Sequence, residues 1–240
     1  MSIWGKLGGA AAGFFLGGGP IGALIGAYAG HLLIDQDVAA SNPDEPGLAF
    51  TIAIIALGAK LAKADGVVTR DEEEAFSRVF RVPPSEAANV QRIFNLARKD
   101  TAGYETYAAQ IARIFRGNPA VLEDIMDGLF EIAKADGVLH PGEQAFLERV
   151  ADIFGFAPNV FRRIRASHFP DRSDPYVILG VSYEANEDEV KRTYRLLVKE
   201  NHPDSLIARG VPEEFIRLAT DKLAAINTAY EKIRDERDFR

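Results

Sequence analysis

Between Lys6 and Asp35 the chain has no residue of fixed charge, and only His31 could acquire one. These 28 residues would extend roughly 42 Å as a helix, whereas about 20 suffice to cross a bilayer core. The run is therefore long enough to enter a membrane. Trp4 and Tyr28 could sit at the two interfaces, where amphipathic rings collect. A cleaved signal peptide would have a shorter apolar region, less glycine and a small-residue cleavage site. Here the run ends His31-Leu32-Leu33-Ile34-Asp35, which favours a retained anchor. Gly5, Gly9, Gly13 and Gly17 are spaced by four, as are Gly18, Gly22, Gly26 and Gly30. That spacing keeps them near one helix face, where a second helix can approach closely. It fits either a homodimer formed through this segment or a loosely packed tether. Gly17-Gly18-Gly19-Pro20 should kink or break the helix, so the segment either spans the membrane once or dips into it as a hairpin. Gly17, Gly19 and Gly22 match G-x-G-x-x-G, but no strand precedes them and no βαβ unit follows.

From about Leu48 onward apolar residues recur at steps of three and four, and strand signals are scarce. With a hydrophobic fraction of 47%, enough for packed cores, this predicts an all-α protein. The expected divisions are a membrane segment at 1–34, a polar linker with Pro43 and Pro46 at 35–47, and a helical domain at 48–166. A second linker follows at 167–173, and a final helical unit at 174–240.

The middle domain holds an internal repeat. Ala62-Lys63-Ala64-Asp65-Gly66-Val67-Val68 recurs 71 positions later as Ala133-Lys134-Ala135-Asp136-Gly137-Val138-Leu139, and Glu72 then aligns with Glu143. Two copies suggest a duplicated helical hairpin around one core rather than a solenoid. Local chemistry accounts for much of each copy. Gly66 and Gly137 can end a helix in the left-handed conformation. Thr69 and Glu72 form a capping box, and Pro141 suits a first helical turn. Phe76, Val79 and Phe80, and then Phe146, Leu147, Val150 and Phe154, mark buried faces. The competing reading is a divalent metal site built from Asp65, Glu72, Asp136 and Glu143. It matches only half of an EF-hand, because Leu61 and Lys63, or Ile132 and Lys134, occupy the first two ligand places. The duplicated pattern resembles the TerB-like helical domain, for which metal binding or protein contact is the implied role.

The final unit opens Asp174-Pro175-Tyr176-Val177-Ile178-Leu179-Gly180-Val181. Asn186 is placed to cap a helix, with Glu189 three residues on. Val190, Tyr194 and Leu197 form its core stripe, while Lys191, Arg195 and Lys199, with Arg192 beside them, line another face. The helix should stop at Asn201-His202-Pro203-Asp204, because the residue before proline is pushed out of helical geometry. A second helix is expected from near Pro212, with Phe215, Leu218, Ala219, Leu223, Ile226 and Tyr230 facing inward. The two should pack as an antiparallel hairpin, with His202, Pro203 and Asp204 at its tip.

This arrangement resembles the J-domain of DnaJ-type co-chaperones. The D-P-Y-x-x-L-G-V opening, the K-R-T-Y-R-L-L-V-K helix, the H-P-D tripeptide and the later A-I-N-T-A-Y-E-K-I occur in that order. The resemblance implies that His202, Pro203 and Asp204 trigger ATP hydrolysis on a DnaK-type partner. It also implies that Lys191, Arg192, Arg195 and Lys199 dock on that partner's acidic surface. Ser205 stands where many members carry lysine, and the stretch from Leu206 to Val211 is longer than usual. The order of parts, from the W-G-K amino terminus to the H-P-D-S-L-I-A-R-G-V-P-E-E-F stretch, resembles the DjlA-type membrane J-proteins of bacteria. That implies an inner-membrane protein with its carboxy-terminal domains in the cytoplasm, where ATP and DnaK are. The single Lys6 before the anchor votes for the opposite orientation.

A net charge of -7 leaves no broad basic footprint for nucleic acid. The absence of cysteine removes disulfides and thiolate chemistry. No G-x-S-x-G, H-E-x-x-H or P-loop motif occurs, so the chain is not expected to be an enzyme or to need a cofactor. The alternative to a co-chaperone is a TerB-like metal-binding or scaffold protein of the stress response with a vestigial J-domain.

Overall fold

The computed structural model describes residues 20–22, 46–62, 82, 87–99, 103–134, 138–169, 174–212 and 215–238. Among them the regular structure is helical, with no strand, as the apolar periodicity predicts. Helix α1 (Pro46–Leu61) is buried on every side from Phe50 to Leu61. A helix that is apolar all round belongs at the centre of a bundle, and α1 takes that place. Even Lys60 is only 9% exposed, with its ammonium 5.1 Å from the centroid of the Tyr107 ring. Helices α2 (Ala87–Lys99), α3 (Tyr104–Ile114) and α4 (Pro119–Ala133) pack against it, and α5 (Pro141–Phe154) and α6 (Pro158–His168) close the bundle. Proline opens α4, α5 and α6, where its missing N–H has no intrahelical partner to lose.

The glycine-rich segment lies outside the described residues apart from 20–22. Within that piece Ile21 is buried in the core of the middle domain, and its N–H donates to Gln110 Oε1 at 3.0 Å. This position therefore faces protein. Among the described residues no helix is long and apolar enough to cross a membrane.

The final unit contains α7 (Pro175–Leu179), α8 (Glu187–Glu200), α9 (Pro203–Ala208) and α10 (Ile216–Arg237). Asp174 caps α7 by accepting from the Tyr176 N–H at 2.8 Å, and Asn186 caps α8 by accepting from the Glu189 N–H at 2.9 Å. Helices α8 and α10 form the hairpin. Tyr176, Ile178, Leu179, Val190, Leu197, Ile226, Ala229 and Ile233 fill its core. Tyr194 stacks on Tyr230 with ring centroids 4.0 Å apart and donates through its hydroxyl to Asn227 Oδ1 at 3.1 Å. Arg237 closes the open end. It lies over the Tyr176 ring and donates to Tyr176 Oη at 2.7 Å, to the Ala185 carbonyl at 2.6 Å and to the Tyr183 carbonyl.

Two features depart from the expected hairpin. The long stretch after His202 is not a plain loop, since it holds α9. The first turns of α10 do not face the hairpin either. Phe215 and Ala219 are buried in the middle-domain core together with Leu206 and Val211, and Phe215 meets Phe50 of α1 edge-on at 5.3 Å. The cause is length. At 22 residues α10 extends roughly 33 Å, while the 14 residues of α8 cover roughly 21 Å. The overhanging end of α10 needs another apolar surface, and α1 and α4 supply it. Ala166 of α6 makes the reverse crossing and joins the hairpin core. Gly180 also touches the middle domain: it ends α7 at φ +69°, and a Cβ there would lie 3.1 Å from Arg163 Cδ of α6.

Because α10 contributes to both cores, the middle domain and the hairpin should unfold together. Phe215→Ala is expected to destabilise the chain by about 3–5 kcal/mol. Calorimetry should show one transition in the parent and one, at lower temperature, in the variant. Two separate transitions in the parent would contradict the shared core.

Candidate functional site

Helix α8 ends because Pro203 follows, and the corner it leaves is fastened by side chains. His202 opens α9 by accepting the Asp204 N–H at Nδ1, 3.2 Å away, and Pro203 sits at the first helical position. The side chain of His202 is 52% exposed and that of Asp204 88%, so the tripeptide faces solvent. Side chains donate to the last carbonyls of α8, which a helix end leaves short of partners; the Leu197 carbonyl also accepts the Asn201 N–H at 3.0 Å. The Asn201 amide donates to the Leu197 carbonyl at 2.7 Å, the Ser205 hydroxyl to the Lys199 carbonyl at 2.6 Å, and the Arg209 guanidinium to the Glu200 carbonyl at 2.8 Å. Ser205, the position flagged for lacking lysine, therefore serves as a cap.

The side chains of Arg192, Arg195 and Lys199 are exposed along α8. Lys191 is half-buried and paired with Glu187 one turn earlier, whose hydrogen bond raises the ammonium's pKa. Val190 and Leu197 point into the hairpin core. The four cations thus stand away from the core on the helix that leads to His202. Leu196, 51% exposed, lies among them.

Of the four residues considered as metal ligands, Asp65, Glu72 and Asp136 lie outside the described residues. Glu143 accepts from the His140 N–H at 2.9 Å at the start of α5, which is the capping role. Among the described residues no group of three or more His, Asp or Glu is arranged to hold a metal ion.

A buried ionic cluster beneath the corner was not foreseen. Asp124, Asp127 and Glu131 fall at i, i+3 and i+7 on α4, so they share one side of a largely apolar helix. Arg209 binds Asp124 in a fork, with Nη2 at 2.9 Å from Oδ2 and 3.1 Å from Oδ1, and Nε at 3.1 Å from Oδ2. Lys222 of α10 reaches Asp127 at 2.7 Å. His168 lies between Asp127, at 2.9 Å from Nε2, and Glu131, at 3.1 Å from Nδ1, with its ring stacked on Phe130. Ionised carboxylates only accept, so both ring nitrogens must donate and His168 is an imidazolium. The acidic spacing on α4 was visible in the sequence. Its partners on α6, α9 and α10 were not.

Three families match consecutive parts of the chain: the DjlA co-chaperone transmembrane domain over residues 1–45, the tellurite resistance protein TerB over 51–166, and the DnaJ domain over 174–239. The chain is 30% identical to the co-chaperone protein DjlA of Coxiella burnetii over the whole of both chains. It is 27% identical to that of Photorhabdus laumondii and 26% to that of Escherichia coli K12, again over all of each chain. The chain belongs to the DjlA co-chaperone family. It is a bacterial membrane J-domain co-chaperone, and its family implies a DnaK-type partner. No solved structure matches it.

Within this DjlA-family chain the cluster titrates in opposing directions. Burial raises the Asp124 carboxyl to about 6 although Lys222 and Arg209 pull it down. Burial also acts on Asp127, but there Lys222 and then His168 outweigh it and lower the pKa. For His168 the hydrogen bonds to Asp127 and Glu131 overcome burial and raise the pKa above 6.5. A raised histidine pKa contributes stability that is complete below the unfolded value and is lost as pH rises through the folded one. The melting temperature should therefore fall on the alkaline side of pH 6.5, and His168→Gln should flatten that decline. An unchanged alkaline slope in the variant would show that His168 is not the titrating group.

Proposed function

We propose that the chain stimulates ATP hydrolysis by a DnaK-type chaperone. His202, Pro203 and Asp204 form the trigger, and Lys191, Arg192, Arg195 and Lys199 form the docking face. The supporting observation is that an accessible corner, fixed by the His202 cap and by Asn201 and Ser205, stands at the end of a helix on which Arg192, Arg195 and Lys199 face solvent. The division of labour follows from the physics. Clustered cations steer encounter with an acidic surface and set its register. A corner that binds better to one of two partner conformations shifts that partner toward it. A partner that uses cytoplasmic ATP supports a cytoplasmic position for the carboxy-terminal domains, and the glycine series in the anchor supports pairing of two copies through it.

The test is single-turnover ATP hydrolysis by a DnaK-type chaperone, titrated with the full chain in lipid vesicles. His202→Gln should abolish stimulation while leaving the melting temperature of the chain within a degree or so. Replacing Arg195 and Lys199 together with alanine should raise the half-saturating concentration about three- to tenfold, with the effect shrinking at high salt. Full stimulation by His202→Gln would remove the proposal.

A further inference from the structure

The His202–Asp204 corner is held from its own side by two contacts, the His202 cap at 3.2 Å and the Ser205 hydroxyl on the Lys199 carbonyl at 2.6 Å. Helix α9 is six residues long, too short to be stable alone. The rest of its anchorage comes from the far end. Leu206 and Val211 are sunk in the middle-domain core, and Arg209 ends α9. The Arg209 guanidinium touches the Glu200 carbonyl at the end of α8 and both oxygens of Asp124 on α4. One rigid planar group thus joins the two helices that bracket the corner to the neighbouring domain. Asp124 is 9% exposed, and the fork to Arg209 is its direct hydrogen-bonded contact with the J-domain.

Resting on the function proposed above, we propose that Arg209 and Asp124 are positioning residues. They form a clamp through which the middle domain holds the His202–Asp204 corner in register with the basic face of α8. The middle domain is then part of the trigger. The clamp acts on how well a docked partner is activated, because the docking cations on α8 are not among its contacts. Lys222 and Asp127 provide the comparison. They make a second buried ion pair across the same interface, but Lys222 lies on α10 and its bond touches neither α8 nor the corner.

The experiment uses the full chain in vesicles, the same single-turnover assay, and amide hydrogen exchange over residues 202–206. Asp124→Asn and Arg209→Gln should each lower maximal stimulation about five- to tenfold, leave the half-saturating concentration within about twofold, and speed exchange at the corner. The double variant should be no worse than either single one, because both remove one interaction. Lys222→Met weakens the interface without removing a contact of the corner; because Lys222 also favours the Asp124 carboxylate, the comparison is made at about pH 8, where Asp124 stays ionised, and there the variant should keep the parent's maximal stimulation at a matched loss of melting temperature. The clamp is overturned if Asp124→Asn stimulates fully, if the two losses multiply, or if Lys222→Met loses as much as Asp124→Asn. A parent chain that does not stimulate, or a silent His202→Gln, would instead remove the underlying function and is recognisable before any clamp variant is compared.

Discussion

Phe215, which leads into α10, and Ala219 near its start lie in one hydrophobic core while Ile226, Ala229 and Ile233 farther along it lie in another, and the geometry of the molecule depends on that division. A helix is stiff over this length, so fixing its first turns against α1 and α4 fixes the direction of the rest. The hairpin, the basic face of α8 and the corner after it inherit that direction. An ordinary flexible linker would let a J-domain sample many orientations. Here residues 167–173 need not set the orientation, because the apolar overhang of α10 already does. Burying a phenylalanine such as Phe215 contributes on the order of 2–3 kcal/mol, and Leu206, Val211 and Ala219 add to it in the same contact.

Apolar contact alone would tolerate sliding. The ion pairs remove that freedom, since Arg209 must meet Asp124 and Lys222 must meet Asp127 at the same time. Buried pairs of this kind are poor contributors to net stability, because desolvation offsets most of the attraction, yet breaking one partner leaves a charge stranded. Burial wins at Asp124, whose pKa is pushed up to about 6, and loses at Asp127, whose pKa Lys222 and His168 lower. Their effect is therefore to select one docking arrangement among those the apolar surface would permit. His168 takes the Asp127 oxygen that Lys222 leaves, and it meets Glu131 Oε1 together with Lys134.

Local signals carried most of the fold. The stripe of Val190, Tyr194 and Leu197, the cap at Asn186 and the stop at Pro203 are all set by neighbours within one or two turns, and each appears where periodicity and capping chemistry put it. Contacts between elements were not legible to the same degree. Periodicity shows that Phe215 and Ala219 face something apolar, but not whether the cover is α8 or α1. Nothing near Arg209 in the sequence marks its role, because its partners are 85 positions away on α4 and nine back at the carbonyl of Glu200. The same holds for His168, whose carboxylates lie 37 and 41 positions away. Asp124, Asp127 and Glu131 on α4 were the one clue in plain sight: acidic residues at i, i+3 and i+7 amid apolar ones seldom stay buried without cations to meet them.

The placement of these charges also separates the two tasks of a J-domain. The cations that would meet a partner stand on α8, away from its core stripe, and three of them are exposed. The cations that hold the domain in place, Arg209 and Lys222, are on α9's end and on α10, where their side chains are nearly covered. A single basic surface serving both purposes would force the partner to compete with the middle domain, so that docking would first require release. With the two sets on different elements, the partner can approach a face that is already presented, while the mount stays engaged. The entropy of orienting the J-domain is then spent during folding rather than at each encounter, so less of the binding free energy is lost to ordering when a partner arrives.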